Sequence, residues 1–238
     1  MQRFEFRQGA MMIRSLITAT VLLGCGFGFG RGLQADDQSP VADASADEPE
    51  AGFLPLFDGK LLTNWEGKTY WFRVEDQAIV AGRLDQRIPN NFFLCTSRQF
   101  ADFELRLQLK VVGEGVNAGV QFRTQRIPGS DEVSGYQADV GGVGVKSVWG
   151  ALYDESRRKR MLVEPQSELI SRVVRPNDWN DYVIRCVGPH IEIFVNGEQT
   201  VDYTETDPGI AAEGVIALQI HSGPPSEAWY RHLRIKPL

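Results

Sequence analysis

The chain has 238 residues, of which 42% are hydrophobic and 24% are charged, and its formal net charge is −6. This composition is typical of a folded globular protein and excludes collagen-like or wholly disordered chains. An acidic protein offers no basic surface to the phosphates of nucleic acid or of an anionic membrane, so we expect neither partner. Three cysteines are too few for a fold held together by disulfides.

Residues 1–35 are predicted to be an export signal. The apolar run after Arg14 is about 15 residues long, which is short for a membrane-spanning helix of about 20 residues but typical of a signal peptide. We place cleavage after Ala35, and we expect no membrane-spanning segment in the mature chain. Two alternatives stay open: a lipoprotein box at residues 22–25 would attach a lipid anchor to Cys25, and the run could remain as an uncleaved anchor. All three interpretations export the protein to the periplasm, the cell surface or the medium.

Residues 36–52 are predicted to form a disordered linker. The segment DDQSPVADASADEPEAG has many acidic residues, no basic residue and almost no large apolar side chain. It cannot bury enough surface to offset the chain entropy lost on ordering. The folded domain is therefore expected to cover residues 53–238.

The predicted domain is all-β. Short strand patterns and turn signals alternate along it without a sustained helical period, and residues 103–110 alternate strictly between apolar and polar. Asn196-Gly197 between two such patterns is a strong hairpin signal. Residues 214–220 and 229–235 read as the last two strands. The sequence therefore predicts a two-sheet jelly-roll sandwich.

The predicted strand at 214–220 has one apolar and one polar face. Ile216, Leu218 and Ile220 share the first face, whereas Gln219 and His221 share the second. The polar face could line a cleft or simply face solvent. Familiar catalytic signatures, such as a phosphate-binding glycine loop or a zinc-binding histidine pair, are absent from the sequence.

Polar and aromatic residues recur at strand spacing in the middle of the chain. The predicted members of one face are Asn117, Gly119, Gln121 and Arg123 on one strand and Gln137 and Asp139 on the next, and Trp149, Tyr153 and Asp154 follow. Amides, carboxylates and guanidinium groups bind sugar hydroxyls, and aromatic rings stack on the C–H faces of sugars. We therefore predict a carbohydrate site.

Several motifs, in order, resemble the 3-keto-disaccharide hydrolase family. They are LFDGK at 56–60 with Asn64-Trp65, FADFEL at 100–105, NAGVQFR at 117–123, Gly135-Tyr136-Gln137, Asn196-Gly197, LQIH at 218–221 and IKPL at 235–238. The resemblance implies a jelly roll of the concanavalin A-like lectin and glucanase type. Many members have Glu-x-Gln after Gly-Tyr, whereas this chain has Gln137-Ala138-Asp139, and the stretch 149–158 looks like a distinct subgroup.

The resemblance implies a reaction in which a ketone at C3 of a sugar acidifies the proton at C2, so that the group at C1 can leave. We expect His221 or Asp139 as base or acid, Arg123 as the partner of the ketone oxygen, and Asp154 as a second carboxylate. The expected substrate-binding residues are Asn117, Gln121, Tyr136, Gln137, Trp149, Tyr153 and Gln219.

No cofactor is certain from the sequence, although a divalent metal held by Asp and His could replace the role of Arg123. The main alternative is a non-catalytic carbohydrate-binding module, which would use the same face without a base. A structural cell-surface protein is a third interpretation.

Overall fold

The computed structural model describes residues 50–144 and 146–238. The predicted export signal, with Cys25, and residues 36–49 of the predicted linker lie outside the described residues. The described chain is an antiparallel two-sheet sandwich with one short helix, α1 (Ser167–Val173), which confirms the all-β prediction. None of its helical segments within these ranges has the length and apolar character needed to cross a membrane.

Sixteen strands build the two sheets. In chain order they are β1 (Leu54–Pro55), β2 (Trp65–Glu66), β3 (Phe72–Glu75), β4 (Ala78–Arg83), β5 (Phe92–Phe100), β6 (Phe103–Gly113), β7 (Asn117–Arg126), β8 (Val133–Val143), β9 (Lys146–Ser147), β10 (Leu152–Glu155), β11 (Arg160–Val163), β12 (Asn180–Val187), β13 (His190–Val195), β14 (Glu198–Thr204), β15 (Gly214–Ile220) and β16 (Ser226–Pro237).

The chain crosses repeatedly between the sheets, as expected for a jelly roll. The first sheet has the order β14-β13-β12-β6-β16-β4-β3, with β1 added beside β16. The second sheet has the order β11-β10-β8-β7-β15-β5-β2, with β9 added beside β8. The central strands β8, β7 and β15 of the second sheet carry most of the polar residues singled out above.

Alternation along the strands builds the core. In β6, Phe103, Leu105, Leu107 and Leu109 are buried, while the residues between them are partly exposed. Full burial of such a side chain contributes about 1.5–3 kcal/mol to folding. The same rule applies to β15, where Ile216, Leu218 and Ile220 belong to the core between the sheets. Gln219 therefore points to the other side of the second sheet, as predicted.

The hairpin predicted at Asn196-Gly197 joins β13 to β14. Both residues have positive φ, +49° and +85°, which is the backbone that a two-residue type I′ turn requires. Asn196 also donates from Nδ2 to the carbonyl of Val173, at 2.7 Å, and thereby ties the turn to the end of α1.

Two tyrosines of the first sheet reach through the core to the backbone of the second. The hydroxyl of Tyr182 on β12 donates to the carbonyl of Asp139 at 2.9 Å. The hydroxyl of Tyr230 on β16 contacts the carbonyl of Gln219 at 2.7 Å. Both tyrosines are fully buried. The strands that carry Asp139 and Gln219 are thus held from behind by hydrogen bonds between the sheets.

The first described residues contact the domain. The Glu50 carboxylate, assigned above to the linker, forms ion pairs with Arg106 and Arg234. The guanidinium of Arg106 lies 4.7 Å from the ring centroid of Phe53. The contacts at this edge of the sandwich therefore begin at least three residues before the predicted boundary.

Candidate functional site

A cluster of polar side chains occupies the outer face of the second sheet, away from the core. Its members are Gln121, Gln137, Asp139, Tyr153, Glu155 and Gln219, which we call the outer-face cluster. The strand pairing sets Gln121 opposite Gln137 and Gln137 opposite Tyr153. A small apolar patch continues the face toward β5, made of Phe93, Cys95, Val133, Val215 and Ala217.

A chain of amide hydrogen bonds runs across two strands to Asp139. Gln121 donates from Nε2 to Oε1 of Gln137, and Gln137 donates from its own Nε2 to Oδ1 of Asp139. Gly119 makes room for this arrangement, because a Cβ there would lie 2.6 Å from Cγ of Gln137. Each amide thus fixes the orientation of the next group.

Asp139 is a buried carboxyl without a cationic partner among the described residues. Its backbone N–H donates to the carbonyl of Ala151 at 3.0 Å, so the residue is held firmly within the sheet. Burial raises the pKa of its carboxyl, the hydrogen bond from Gln137 opposes this rise and the charge of Glu155 adds to it, so that the resulting pKa is about 8. Asp139 is therefore largely protonated at neutral pH and can donate a hydrogen bond.

Gln219 and Glu155 lie on the same face. Nε2 of Gln219 donates to Oε2 of Glu155 at 3.4 Å, whereas Oε1 of Gln219 is buried without a hydrogen-bond partner. Such a buried acceptor carries a desolvation cost of about 1–3 kcal/mol. Burial, followed by the charges of Glu155 and Asp139, also raises the pKa of Tyr153. Oε1 of Gln219 therefore has neither a protein hydrogen-bond partner nor contact with solvent.

His221 and Asn117 stand at one end of this face. The backbone N–H of His221 donates to the carbonyl of Asn117 at 3.0 Å. Nδ1 of His221 lies 2.8 Å from the carbonyl of Ser222. Since a carbonyl can only accept, Nδ1 donates there and Nε2 is the basic nitrogen.

Asp139 and His221 share the face but are not in contact. Asp139 is opposite Gly119, and Gly119 is opposite Gln219, so two interstrand spacings, about 10 Å, separate the strands of Asp139 and His221. No hydrogen bond joins the two side chains in the described part of the chain.

Sequence reasoning missed two carboxylates of this site, Glu132 and Glu155. Glu155 alternates with Tyr153 on β10 and therefore shares its face; that spacing was a usable signal. Glu132 is in the loop between β7 and β8, and nothing in the sequence predicts where a loop carboxylate reaches.

A cleft adjoins the cluster on the β5 side. It has a volume of about 120 Å³ and is lined by Phe93, Cys95 and Val133 of the apolar patch, by Glu132, and by two ion pairs. The pairs join Lys68 to Asp131 and Arg126 to Glu66. The polar outer-face cluster thus has beside it a cleft that is lined by both apolar and charged side chains.

The prediction that Arg123 shares the face of Asn117 and Gln121 is wrong. A bulge between Phe122 and Gln125, with φ of +47° at Arg123, reverses the alternation of β7. The guanidinium is buried and donates to the carbonyls of Ala101 and Gly188 and to Asp102. Arg123 joins two turns at the end of the sandwich.

Asp154 and Tyr136 also lie away from the predicted site. They are opposite each other on β10 and β8 and face the core side of the sheet. Asp154 accepts from Arg157 at 2.8 Å and from Arg158, and Arg158 pairs with Glu205 at 2.6 Å. The Tyr136 hydroxyl donates to Glu205 at 2.5 Å. We call these residues the paired network.

Trp149, predicted to bind substrate, is part of the core. Its side chain is buried, and its ring centroid lies 6.0 Å from that of Tyr182. The remaining predicted binding residues, Gln121, Gln137, Tyr153 and Gln219, do lie together on the outer face, with Asn117 at its end.

The described residues contain no group of three or more His, Cys, Asp or Glu side chains placed to hold a metal ion. Sequence analysis named no particular Asp and His as metal ligands, and its Asp and His candidates for the acid–base roles, Asp139 and His221, are on separate strands, as described above. A metal site built from that pair does not fit this arrangement.

The sandwich and its outer-face cluster define a jelly roll of the lectin and glucanase class. The chain belongs to the family described as 3-keto-alpha-glucoside-1,2-lyase-like domain, whose family model matches residues 52–236. The resemblance seen in the sequence is thereby confirmed. A comparison with curated protein sequences found no match.

Several solved structures with the same fold carry names of carbohydrate-related proteins. A candidate glycosyl hydrolase from Parabacteroides distasonis is 20% identical, with a TM-score of 0.60 over 79% of this chain and 94% of its own. The carbohydrate-binding module CBM66 from Bacillus subtilis is 14% identical, with a TM-score of 0.55 over 73% and 96%. A β-glucanase from Bacillus licheniformis is 10% identical, with a TM-score of 0.52 over 78% and 97%. At these identities the likeness shows the fold.

Proposed function

We propose that this protein is an exported enzyme that cleaves 3-keto-glycosides by removing the proton at C2 and releasing the group at C1. Family membership supports the substrate class, and the apolar segment before Ala35 supports export. The observation that carries the proposal is the outer-face cluster, where a buried carboxyl with a raised pKa and a buried amide oxygen without a partner lie on the same face of the sheet, two strands apart. A site that only stabilises the fold has no need of either.

The expected steps use two groups of the face. Nε2 of His221 takes the C2 proton, which the adjacent ketone makes acidic. Protonated Asp139 donates a hydrogen bond to the ketone oxygen as negative charge develops there, the role first expected of Arg123. The electron pair of the C2–H bond forms the C1–C2 double bond, the C1–O bond breaks, and water later adds to the unsaturated sugar.

The three glutamines orient the sugar. Gln121 and Gln137 are locked by the hydrogen-bond chain that ends at Asp139. Gln219 has a free acceptor for a sugar hydroxyl. Amide groups suit hydroxyls because each amide both donates and accepts.

The test uses the full-length chain with a 3-keto-glucoside and the matched glucoside that has not been oxidised. We expect release of the aglycone from the first only. His221→Ala and Asp139→Ala should each lower kcat/KM by about 10²–10⁴-fold, as removal of acid–base groups typically does. His190→Ala, a change at an exposed histidine on β13, is the matched control and should leave the rate unchanged.

The alternative is a carbohydrate-binding module, favoured by the shared fold with CBM66. It predicts no cleavage by the wild type and an affinity for plain sugars that depends on Gln219 and Tyr153. Sugar binding measured by calorimetry, without turnover of any 3-keto-glycoside, would establish this alternative and end the catalytic proposal.

A further inference from the structure

Glu132 reaches the site from a loop with a defined shape. Residues 127–132 connect β7 to β8, and the N–H of Ile127 donates to the carbonyl of Glu132 at 3.3 Å. The N–H of Glu132 donates to Oγ of Ser130 at 3.1 Å. Asp131 forms an ion pair with Lys68, which ties the loop to the segment after β2. The loop is therefore fixed at its base and at its tip.

The Glu132 carboxyl accepts a hydrogen bond from the side chain of Asn91 but has no cationic partner among the described residues. Its Oε2 atom is buried without a hydrogen bond, and no ion pair involves the residue within the described ranges. Burial raises its pKa, and the charge of Glu155 raises it further, against His221 and the side chain of Asn91. Both effects favour the acid form, which is the form that can give up a proton.

Glu132 also lies at a boundary. On one side its carboxyl accepts from the side chain of Asn91, whose Oδ1 accepts at 3.0 Å from the N–H of Ser222, the residue after His221. On the other side it lines the 120 Å³ cleft together with Phe93 and Val133. A group that protonates a leaving oxygen must stand between the sugar and the part that departs.

We propose that Glu132 is the acid that protonates the departing oxygen, and that the adjoining cleft holds the departing group. The inference rests on the proposed function, since it needs a C1–O bond that breaks. As His221 takes the C2 proton, the electron pair of the C1–O bond moves to the glycosidic oxygen, which accepts the proton of Glu132. The Glu132 carboxylate regains a proton from solvent water, so the acid is restored for the next turnover.

The geometry also explains the order of roles along the face. Carbon C1, which bears the leaving group, adjoins C2, and Asn91 links Glu132 to Ser222, the residue that follows His221. Carbon C3 is one bond further on, and Asp139 is further along the sheet. In the proposed roles, Glu132 acts at C1, His221 acts at C2 and Asp139 acts at C3, which is also their order along the face.

The test compares two leaving groups. Methyl 3-keto-glucoside releases a strongly basic alkoxide and needs an acid, whereas p-nitrophenyl 3-keto-glucoside releases a weakly basic phenolate and needs little help. Glu132→Gln should lower kcat/KM for the methyl substrate by about 10²–10⁴-fold and for the p-nitrophenyl substrate by less than about tenfold. Glu132→Asp, which keeps an acid, should recover part of the rate for the methyl substrate.

Glu114→Gln, a change in the exposed turn between β6 and β7, is the matched control and should affect neither substrate. Equal losses for both substrates, or no loss for either, would overturn the assignment of Glu132 while leaving the proposed function standing. If the wild type cleaves neither substrate, the proposed function fails and the assignment fails with it. Melting curves of each variant show whether a lost rate reflects lost folding.

Discussion

The outer-face cluster and the paired network use the same chemical groups in opposite ways. In the paired network, the buried Asp154 accepts from two arginines, and Glu205 accepts from Arg158 and Tyr136. In the outer-face cluster, Asp139 has only an amide beside it, and Gln219 has an acceptor with no partner. The carboxylates of the paired network have arginine partners, although Nη2 of Arg157 is also buried without a hydrogen bond, whereas the Asp139 carboxyl of the outer-face cluster has no arginine or lysine partner among the described residues.

The two regions also differ in the sign of their pH dependence. Burial alone would raise the pKa of Glu205, but hydrogen bonds from Arg158 and Tyr136 outweigh it and lower the pKa to about 2. Its contribution to stability is therefore present above the ordinary value of 4.5 and is lost as the pH falls toward 2. Asp139 behaves in the opposite way, because its pKa is raised.

The largest expected effect on the free energy of unfolding comes from removing an arginine of the paired network. Arg158→Met leaves Glu205 without its cation and Asp154 with one arginine in place of two. We expect the free energy of unfolding to fall by about 3 kcal/mol, as for other broken buried ion pairs. Urea denaturation at pH 7 measures it, with Arg160→Met, a change at an exposed arginine on β11, as the control. A loss no greater than that of the control would mean that the network contributes little.

The second prediction concerns Asp139. The folded state keeps its proton up to a pH of about 8, whereas the unfolded chain loses it near 3.8. Between these values the folded state binds the extra proton, so its stability falls as the pH rises. Asp139→Asn removes this penalty and should stabilise the protein by a few kcal/mol at pH 8, with little change at about pH 4.

The matched change is Glu205→Gln, which should destabilise the protein at neutral pH and progressively less as the pH falls below 4.5. Thermal unfolding of both variants, measured from about pH 2 to about pH 8, tests the two predictions. If the stability of both variants relative to the wild type changed in the same direction as the pH rises, the contrast between the two regions would be contradicted.

The smallest expected effect compares two buried amides. Gln219→Leu relieves the desolvation cost of the unpaired Oε1 but also loses the long hydrogen bond from Nε2 to Glu155. Because these two effects oppose each other, the free energy of unfolding should change by less than about 1 kcal/mol. In Asn180, Nδ2 donates to the carbonyls of Arg175 and Asp178, and Oδ1 accepts from the backbone N–H of Arg175. Asn180→Leu should therefore cost more than about 2 kcal/mol. Equal costs in chemical denaturation would show that Gln219 is a structural amide after all.

Period-two alternation predicted much of the fold and part of the site. It placed Gln219 on one side of β15 and Ile216, Leu218 and Ile220 on the other, and it placed Gln137 and Asp139 on one face. These predictions hold because the strands are regular there, and in a regular strand every second residue points to the same face of the sheet.

The predictions failed where regularity ends. One bulge in β7 moved Arg123 off the face, and a bulge of this kind leaves no mark in local composition. For Asp154 and Glu155, the sequence shows that they face opposite sides but not which one faces the core; pairing with β8 decides that. Glu132 follows Asp131 in a loop, and the ion-pair partner of Asp131, Lys68, is distant in sequence.

The tyrosines that join the two sheets have a mechanical consequence. An apolar interface between sheets resists separation, but it offers little directional resistance to one layer sliding over the other. The hydroxyls of Tyr182 and Tyr230 bind backbone carbonyls of the opposite layer at Asp139 and Gln219. These two hydrogen bonds oppose sliding of one sheet over the other. They lie on the core side of Asp139 and Gln219, two residues of the outer-face cluster. Thermal sliding of the layers is thereby kept from changing the dimensions of the outer face.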